Sequence, residues 1–203
     1  MSANAQEIES KFYVSNLKTV ESKLFALGAA CKVPRGFEYN LRFDDAENRL
    51  ERAHQVLRLR KGDDARLTFK GPGEQRGGAI VRTELEVVVD DFEMARSLLE
   101  ALGYRATVSY EKYRSMYELE HALVTLDELP YGNFVEIEVE KAEMIAGLAQ
   151  KLGLKPETAI PASYLGLFEH IRTTKNLSAE NLAFVEFEGI HITAEDLGVL
   201  PAD

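Results

Sequence analysis

The sequence predicts an α+β protein: an eight-stranded antiparallel β-barrel, closed or nearly closed, with helices packed outside it. Three observations lead to this fold class. Strand-like segments follow one another at short spacing, which is typical of an antiparallel meander, and eight strands suffice to close a barrel. Most of these segments alternate charged and apolar side chains, so each strand has two distinct faces. Amphipathic helical segments between the strands can cover the apolar faces from outside.

The predicted strands are identified by their alternation and by the turn residues that bound them. In chain order they are residues 6–14, 37–44, 55–61, 66–71, 80–90, 107–119, 122–129 and 133–141. Between the fourth and the fifth strand, Gly71-Pro72-Gly73 and Gly77-Gly78 predict a mobile turn region.

The predicted helices cover residues 17–27, 92–102, 143–152 and 163–171. Asn16 is a suitable N-cap for the first helix, and Gly28 is a suitable residue to end it. The tail, residues 176–203, combines a helix start at 178–180 with a strand-like stretch at 183–187. We therefore predict one main domain, residues 1–174, followed by a C-terminal extension, residues 175–203, of unknown role.

Composition narrows the class of protein. The chain has 203 residues, 45% of them hydrophobic and 29% charged, which fits one globular domain rather than a disordered chain. No apolar run approaches the roughly 18–20 residues that cross a bilayer, and the N-terminus lacks a secretory signal. The net charge of −10 argues against a general nucleic-acid binder or a protein that binds anionic membranes. We expect neither nucleic acid nor membrane as a partner.

Cysteine and histidine usage predicts the compartment and excludes one kind of metal site. Cys31 is the only cysteine, so an internal disulfide is excluded and a cytoplasmic location is expected. The four histidines are scattered along the chain and have no ligand spacing, which argues against zinc.

Ionisable residues cover one face of most predicted strands. Residues of like sign recur two positions apart, where they share a face. The residues on this charged face are Glu7, Glu9, Lys11, Arg58, Arg60, Thr68, Lys70, Arg82, Glu84, Glu86, Lys112, Arg114, Thr125, Asp127, Glu136 and Glu138.

For any single strand, the simplest explanation is a sheet with one face in water. The whole set favours an interior cavity, because an ordinary solvated face is more mixed and like charges this close repel each other. Buried acids and bases rarely recover their full desolvation cost by pairing. A polyphosphate with Mg²⁺ or Mn²⁺ would satisfy both sets, since Arg and Lys bind phosphoryl oxygens and carboxylates suit these hard cations.

The charged residues lie in six blocks that together resemble a known family. The blocks are Glu7-Ile8-Glu9-Ser10-Lys11, Leu57-Arg58-Leu59-Arg60, Leu67-Thr68-Phe69-Lys70-Gly71-Pro72, Arg82-Thr83-Glu84-Leu85-Glu86, Lys112-Tyr113-Arg114 and Phe134-Val135-Glu136-Ile137-Glu138. In this order they resemble the CYTH family of triphosphate tunnel metalloenzymes, and the first is similar to its E-x-E-x-K signature. That family includes class IV adenylyl cyclases, thiamine triphosphatases and inorganic triphosphatases. Ser163-Tyr164 also fits its C-terminal helix.

The chain departs from the family pattern at two places. Arg42 stands where the family often has an aromatic residue before Phe43-Asp44. We expect Arg42 to point outward, and a base at the tunnel mouth is the alternative. The tail after about residue 174 has no counterpart in the minimal family core.

The resemblance implies roles for the charged residues. It implies a metal site for Mg²⁺ or Mn²⁺ formed by Glu7, Glu9, Asp127, Glu136 and Glu138. It implies that the triphosphate is bound by Lys11, Arg58, Arg60, Lys70, Arg82, Lys112 and Arg114. The candidate catalytic residues are Lys11, Glu86 and Asp127.

Two reactions suit such a tunnel, because phosphoryl transfer depends more on charge neutralisation and alignment than on a special nucleophile. In a triphosphatase, water attacks the terminal phosphorus. In a class IV cyclase, the ribose 3′-hydroxyl attacks the α-phosphorus of ATP and pyrophosphate leaves. We favour metal-dependent hydrolysis of ATP, thiamine triphosphate or tripolyphosphate. The alternatives are the adenylyl cyclase and a non-catalytic polyphosphate- or nucleotide-binding module, and a homodimer is left open.

Overall fold

A computed structural model describes residues 6–76 and 78–203, in which the elements follow the predicted order. The strands are β1 (Gln6–Val14), β2 (Ala30–Asp44), β3 (Val56–Lys61), β4 (Ala65–Lys70), β5 (Glu74–Arg76), β6 (Ala79–Val89), β7 (Arg105–Leu119), β8 (Ala122–Leu129) and β9 (Gly132–Glu138). The helices are α1 (Leu17–Ala26), α2 (Arg49–Arg52), α3 (Phe92–Ala101), α4 (Met144–Lys151) and α5 (Tyr164–Thr174). Two short 3-10 turns cover Pro156–Thr158 and Phe184–Phe187.

Eight of the strands form a ring. Neighbours in the ring follow the order β1-β9-β8-β7-β2-β3-β4-β6, and β6 pairs back onto β1 through Gln6↔Thr83 to Glu9↔Ile80. These pairings are antiparallel. The predicted α+β fold, with an eight-stranded antiparallel sheet that is nearly closed and has helices outside, is confirmed.

The ninth strand was not predicted. β5 pairs with the start of β6, within the segment that the glycines predicted as a mobile turn. Its three residues are polar or charged and exposed, so no apolar alternation marks it in the sequence. Gly78 has a φ of 85° in the turn that leads into β6, while Gly77 lies outside the described residues.

One strand boundary and one short helix also differ from the prediction. β2 begins at Ala30 rather than 37, because its first half contains Pro34 and Gly36 and pairs with β7 through register shifts instead of regular alternation. The short helix α2 was also missed. It begins where the Asp44 carboxylate accepts hydrogen bonds from the backbone N–H groups of Leu50 and Glu51.

Helices cover most of the outer face of the ring, as predicted. Val20 and Leu24 of α1 and Leu148 of α4 are buried against Val135 and Ile137 of β9. On the opposite side, helix α3 packs over the outer faces of β2 and β3. The outer face of β6 is an exception, because Leu85 and Val87 remain 54% and 57% exposed. The expectation that helices cover these two residues was wrong.

A third cluster of buried residues closes one end of the ring. Tyr110 of β7, Tyr131 of the turn between β8 and β9, and Phe134 of β9 form one cluster with Leu167 and Phe168 of α5. Residues of the tail complete this cluster; they are Ala179, Leu182, Phe187, Ile192 and Leu197.

The tail is joined to the ring by main-chain hydrogen bonds at two places. Leu182 donates to the Ser109 carbonyl and accepts from the Glu111 N–H, beside β7. At its end, Ala202 N–H donates to the Tyr13 carbonyl, and the Asp203 carboxylate accepts from Ser15 N–H at 2.9 Å. Among the helices of residues 6–76 and 78–203, none is long and apolar enough to span a membrane.

Candidate functional site

The inner face of the ring surrounds one charged cavity of about 580 Å³. The alternation of side chains along each strand turns the charged residues inward. All predicted site residues except Asp127 line this cavity: Glu7, Glu9, Lys11, Arg58, Arg60, Lys70, Arg82, Glu86, Lys112, Arg114, Glu136 and Glu138. The structure therefore brings them together, whereas their roles in binding remain predictions.

The predicted bases are neutralised by carboxylates inside the cavity. Each has a carboxylate oxygen within 4.0 Å, and the pairs are Lys11–Glu136, Arg58–Glu86, Arg60–Glu38, Lys70–Glu7, Arg82–Glu7, Lys112–Asp127 and Arg114–Asp127. These ion pairs offset the repulsion expected between like charges two residues apart, because the basic side chains of one strand lie against acidic side chains of another.

Acidic residues dominate the cavity where β1, β6 and β9 meet. Glu9 and Glu138 are directly paired across the strands, and Glu7 accepts hydrogen bonds from Lys70 at 2.6 Å and Arg82 at 2.7 Å. Burial acts to raise the pKa of Glu7, but the charges of Lys70 and Arg82 outweigh it and lower the pKa to about 2. Burial and the charges of Glu136 and Glu7 raise the pKa of Glu9.

Two carboxyl groups in this acidic region have a pKa near neutrality. The partial enclosure of Glu138 and the charges of Glu7 and Glu9 raise its pKa to about 7, although its side chain is exposed at the mouth. Within the described part of the chain, no Lys, Arg or His lies within 4.0 Å of Glu138. Burial and a hydrogen bond with Glu7 raise the pKa of Glu84 to about 7. The raised pKa values mean that the negative charge of these two carboxylates is costly, so a bound cation would stabilise their ionised forms.

Asp127 lies behind the cavity wall and is 0% exposed. Its carboxylate accepts hydrogen bonds from Arg114 at 2.6 and 2.5 Å, from Lys112 at 3.1 Å and from the Tyr164 hydroxyl at 2.8 Å. Burial acts to raise the pKa of Asp127, but the charges of Arg114 and Lys112 hold it below its usual value. Because both its oxygens are engaged, the geometry suits the orientation of two bases better than the binding of a metal.

The first residues of α5 line the inner end of the cavity. Ser163 caps the helix by accepting a hydrogen bond from Gly166 N–H at 3.0 Å. The Tyr164 ring lies beneath the ammonium of Lys11, with 4.2 Å between Nζ and the ring centroid. Such a cation–π contact holds the lysine stem in one position. Tyr164 therefore contacts both Lys11 and Asp127.

The basic side of the cavity is formed by β2, β3 and β7. Arg58 donates to Thr68 at 3.1 Å and lies 3.4 Å from the Tyr110 hydroxyl, while Arg60 donates to Glu38 at 3.0 Å. Burial acts to raise the pKa of Tyr110, but the positive charges of Arg58 and Lys112 lower it overall. A hydroxyl in this position can donate to a phosphoryl oxygen.

The sequence did not identify several of the residues on the cavity wall. Glu84 shares its strand face with Arg82 and Glu86, so the alternation could have identified it. Tyr110 shares its strand face with Lys112 and Arg114, so the alternation could have identified it as well. Glu38 lies close to the half of β2 that contains register shifts, where alternation is a weaker guide. The expected outward orientation of Arg42 was wrong, because Arg42 is directly paired with inward-facing Arg58 and lines the cavity.

The carboxylates of the acidic region are the kind of ligand that a hard divalent cation prefers, but they are not arranged as a complete coordination site. Within residues 6–76 and 78–203, no three carboxylate, histidine or cysteine groups are arranged to hold a metal ion. The reason is visible in the ion pairs, because Glu7 and Glu136 are bound to bases. Glu9 and Glu138 supply carboxylate oxygens whose mutual repulsion a cation would relieve. Side-chain rotation would be needed to complete the coordination.

Comparison with known proteins agrees with this fold. The family model described as CYTH domain matches residues 5–164. Adenylate cyclase CyaB of Aeromonas hydrophila is 28% identical over 180 residues, which cover 82% of this chain and 91% of that protein. The solved structure of PH1012 protein from Pyrococcus horikoshii OT3 is 28% identical, with a TM-score of 0.67 over 78% of this chain and 97% of that chain. PH1819 protein from the same organism, 23% identical, has a TM-score of 0.69 over 80% and 98%.

The ring of strands and its charged cavity thus define a β-tunnel protein with acids and bases directed inward. Because the family model covers most of the chain, this protein belongs to the CYTH family. Enzymes of this family are adenylyl cyclases or triphosphatases and are generally dependent on a divalent metal. The matched region ends at the first residue of α5, so most of α5 and the tail lie beyond it.

Proposed function

We propose that this protein is a divalent-metal-dependent enzyme that hydrolyses a triphosphate bound in the charged cavity. The observation that supports this most is the convergence of Lys and Arg side chains from six strands on one cavity of about 580 Å³. A cavity of this size is in the usual range for small-molecule sites, roughly 300–1,000 Å³. A triphosphate is a small anion with enough charge to engage several bases at once.

The bases of the cavity are already paired with carboxylates, so binding of a triphosphate requires that phosphoryl oxygens replace some of these carboxylates. Each base would give up a carboxylate and accept a phosphoryl oxygen in its place, so its charge stays neutralised. The carboxylates released by this exchange, together with Glu138, then need a cation. Binding of the triphosphate and binding of the metal are therefore expected to favour each other.

The acids that would hold Mg²⁺ or Mn²⁺ are Glu7, Glu9, Glu136 and Glu138. A bound divalent ion supplies charge stabilisation at phosphoryl oxygens and lowers the pKa of a coordinated water. The protein's own part is to hold the carboxylate oxygens of these acids close together and beside the bases. Glu9 and Glu138, for example, are directly paired across β1 and β9. We keep Asp127 in this set as a prediction, although its contacts favour a positioning role.

The three candidate catalytic residues have different surroundings. Lys11 lines the cavity between Glu136 and Tyr164, where it can contact the phosphoryl group that is transferred. Asp127 would orient Lys112 and Arg114 toward the phosphates. Glu86 accepts hydrogen bonds from Arg66 and Thr68, so it would fix the wall beside Arg58.

Hydrolysis is favoured over cyclisation because water reaches the acidic region, where the Glu138 side chain is exposed at the mouth. The second candidate, conversion of ATP to cyclic AMP and pyrophosphate, is supported by the name of the Aeromonas hydrophila relative. It would require the cavity to align the ribose 3′-hydroxyl with the α-phosphorus.

The test is incubation of the protein with ATP, thiamine triphosphate and tripolyphosphate in Mg²⁺ or Mn²⁺, with the products separated. Orthophosphate released only with metal, and lost with chelator, supports the proposal. Cyclic AMP with pyrophosphate supports the second candidate instead. If none of the three substrates gives a product, both candidate reactions are contradicted, and a non-catalytic binding module is the remaining explanation.

A further inference from the structure

A groove, separate from the cavity, adjoins the inner end of the cavity. It has a volume of about 1090 Å³ and lies between the end of β2, the start of β7 and helix α5. Arg42, Ser163 and Leu165 line both the groove and the cavity. The cavity and the groove therefore adjoin at these three residues.

Arg42 differs from the other bases of the cavity. Across residues 6–76 and 78–203, no carboxylate lies within 4.0 Å of its side chain, whereas each of the other cavity-lining bases named above has one. Its Nε, like those of Arg58 and Arg60, is buried and makes no hydrogen bond to the described part of the protein. Burial and the charges of Arg58 and Arg82 lower the pKa of Arg42. A partly buried guanidinium among like charges is costly unless an anion accompanies it.

Beyond Arg42 the surroundings no longer favour an anion. The groove is lined by three bases, Arg42, Arg105 and Arg172, and by four acids, Asp44, Glu51, Glu169 and Glu180. A chain of further phosphates would gain little there. Hydroxyl and amide groups of Asn48, Thr107 and Thr173 can form hydrogen bonds, while Val108, Leu165 and Phe168 offer apolar contact. This combination suits an uncharged, flat and hydroxyl-bearing group.

We propose that Arg42 binds the phosphate nearest the organic substituent of a nucleoside triphosphate, and that the adjoining groove holds the nucleoside. This inference rests on the proposed function and narrows its substrate class, since inorganic tripolyphosphate would leave the groove empty. Arg42 and the groove together are then the specificity determinants of the site.

Two variants separate the contributions of Arg42 and the groove. Arg42→Met removes the charge and keeps an unbranched side chain of moderate length. Thr173→Trp places a bulky ring in the groove from an exposed position on α5. Met94→Trp is the matched control, because Met94 is 66% exposed on α3 and does not line either cavity.

The experiment is titration calorimetry of each variant in Mg²⁺ with a non-hydrolysable ATP analogue and with tripolyphosphate. Arg42→Met should weaken binding of the analogue about tenfold or more, as expected for a lost charge-assisted hydrogen bond. Thr173→Trp should weaken the analogue by about tenfold and leave tripolyphosphate within about threefold, since only the analogue fills the groove. Met94→Trp should change neither. Unchanged analogue binding in Arg42→Met, or equal effects of Thr173→Trp on both ligands, overturns the inference.

The wild type distinguishes this inference from the proposed function. Analogue binding that depends on Arg42 and Thr173 as described, in a protein with no turnover, supports the inference and contradicts the proposed hydrolysis. Hydrolysis of tripolyphosphate by a protein that does not bind the analogue supports the proposed function and overturns the inference. A wild type that binds neither ligand overturns both.

Discussion

At the level of single residues, the cavity is a set of charges that neutralise one another incompletely. Glu138 and Arg42 are both on the wall and, among residues 6–76 and 78–203, neither has an oppositely charged side chain within 4.0 Å; Glu138 lies in the acidic region at the mouth and Arg42 at the inner end. An anion bound beside Arg42 and a cation bound beside Glu138 would complete the balance. The predictions for individual residues follow from this arrangement.

Glu9→Gln should abolish metal-dependent turnover while the protein stays folded. The amide is the same size as the carboxylate but lacks the charge that a hard cation requires. Turnover is measured by phosphate release, and folding by circular dichroism. Glu100→Gln, on the exposed part of α3, is the control and should retain full activity. Unchanged activity in Glu9→Gln would remove this residue from the site.

Arg58→Ala should weaken triphosphate binding by roughly 1.5–3 kcal/mol, the usual range for a hydrogen bond to a charged group. Arg58 is largely buried in the cavity wall, so its guanidinium is poorly screened by solvent. Calorimetric titration with tripolyphosphate in Mg²⁺ measures the loss. Arg96→Ala, on the exposed surface of α3, serves as the control. Equal affinity in wild type and Arg58→Ala would count against an inward-facing role.

Glu138 should make the stability of the protein depend on pH. Its pKa is raised from 4.5 to about 7, so the favourable contribution of its protonated form is complete below pH 4.5 and is lost as the pH rises through about 7. Glu138→Gln cannot titrate, so it should become more stable relative to wild type over this range. Urea unfolding at several pH values, without divalent metal, measures the difference. A difference that does not vary with pH would show that Glu138 has an ordinary pKa.

At the level of elements, helix α5 and the tail form the wall at the inner end of the ring. Tyr164 of α5 contacts Lys11 and Asp127, and Phe168, one turn further along the same face of α5, lies against Phe187 of the tail. The tail therefore supports a helix that reaches the charged cavity. Whether residues 175–203 are a separate extension remains a prediction, but their contacts include both α5 and β7.

Leu182→Ala should destabilise the protein by about 2–5 kcal/mol, the usual cost of truncating a buried leucine. Leu182 is 0% exposed and lies in the cluster that holds α5. Leu200→Ala is the matched control, since Leu200 is 68% exposed and such surface changes usually stay within about 0.5 kcal/mol. Denaturant unfolding compares the two. Equal stability of both variants would mean that the tail does not support α5.

The parts of the fold that the sequence predicted are those where alternation is regular. In β1, β3, β4, β6 and β9 charged residues recur at alternate positions over part of the strand, so both the strand and its inward face could be identified. β2 contains Pro34, Gly36 and register shifts, which concealed its first half and the orientation of Arg42. β5 and α2 are too short to show any period. The support of α5 by the tail depends on contacts between distant segments, which no local pattern reveals.

At the level of the whole molecule, the charge distribution separates the interior from the surface. The chain carries a net charge of −10, yet nine Lys and Arg residues, including Arg42, line its cavity. Such an acidic protein should not bind nucleic acid in general, while a local basic site can still bind a small anion. The cytoplasmic location and the homodimer remain predictions.

The central claim is that acids and bases from distant strands form one site for a triphosphate and its metal. Its most direct test is a crystal structure of the protein with tripolyphosphate and Mn²⁺, in which anomalous scattering locates the metal. The account predicts manganese among Glu7, Glu9, Glu136 and Glu138, with phosphates against Arg58 and Lys112. Manganese and phosphate bound only on the outer surface, with the cavity ion pairs unchanged, would contradict it.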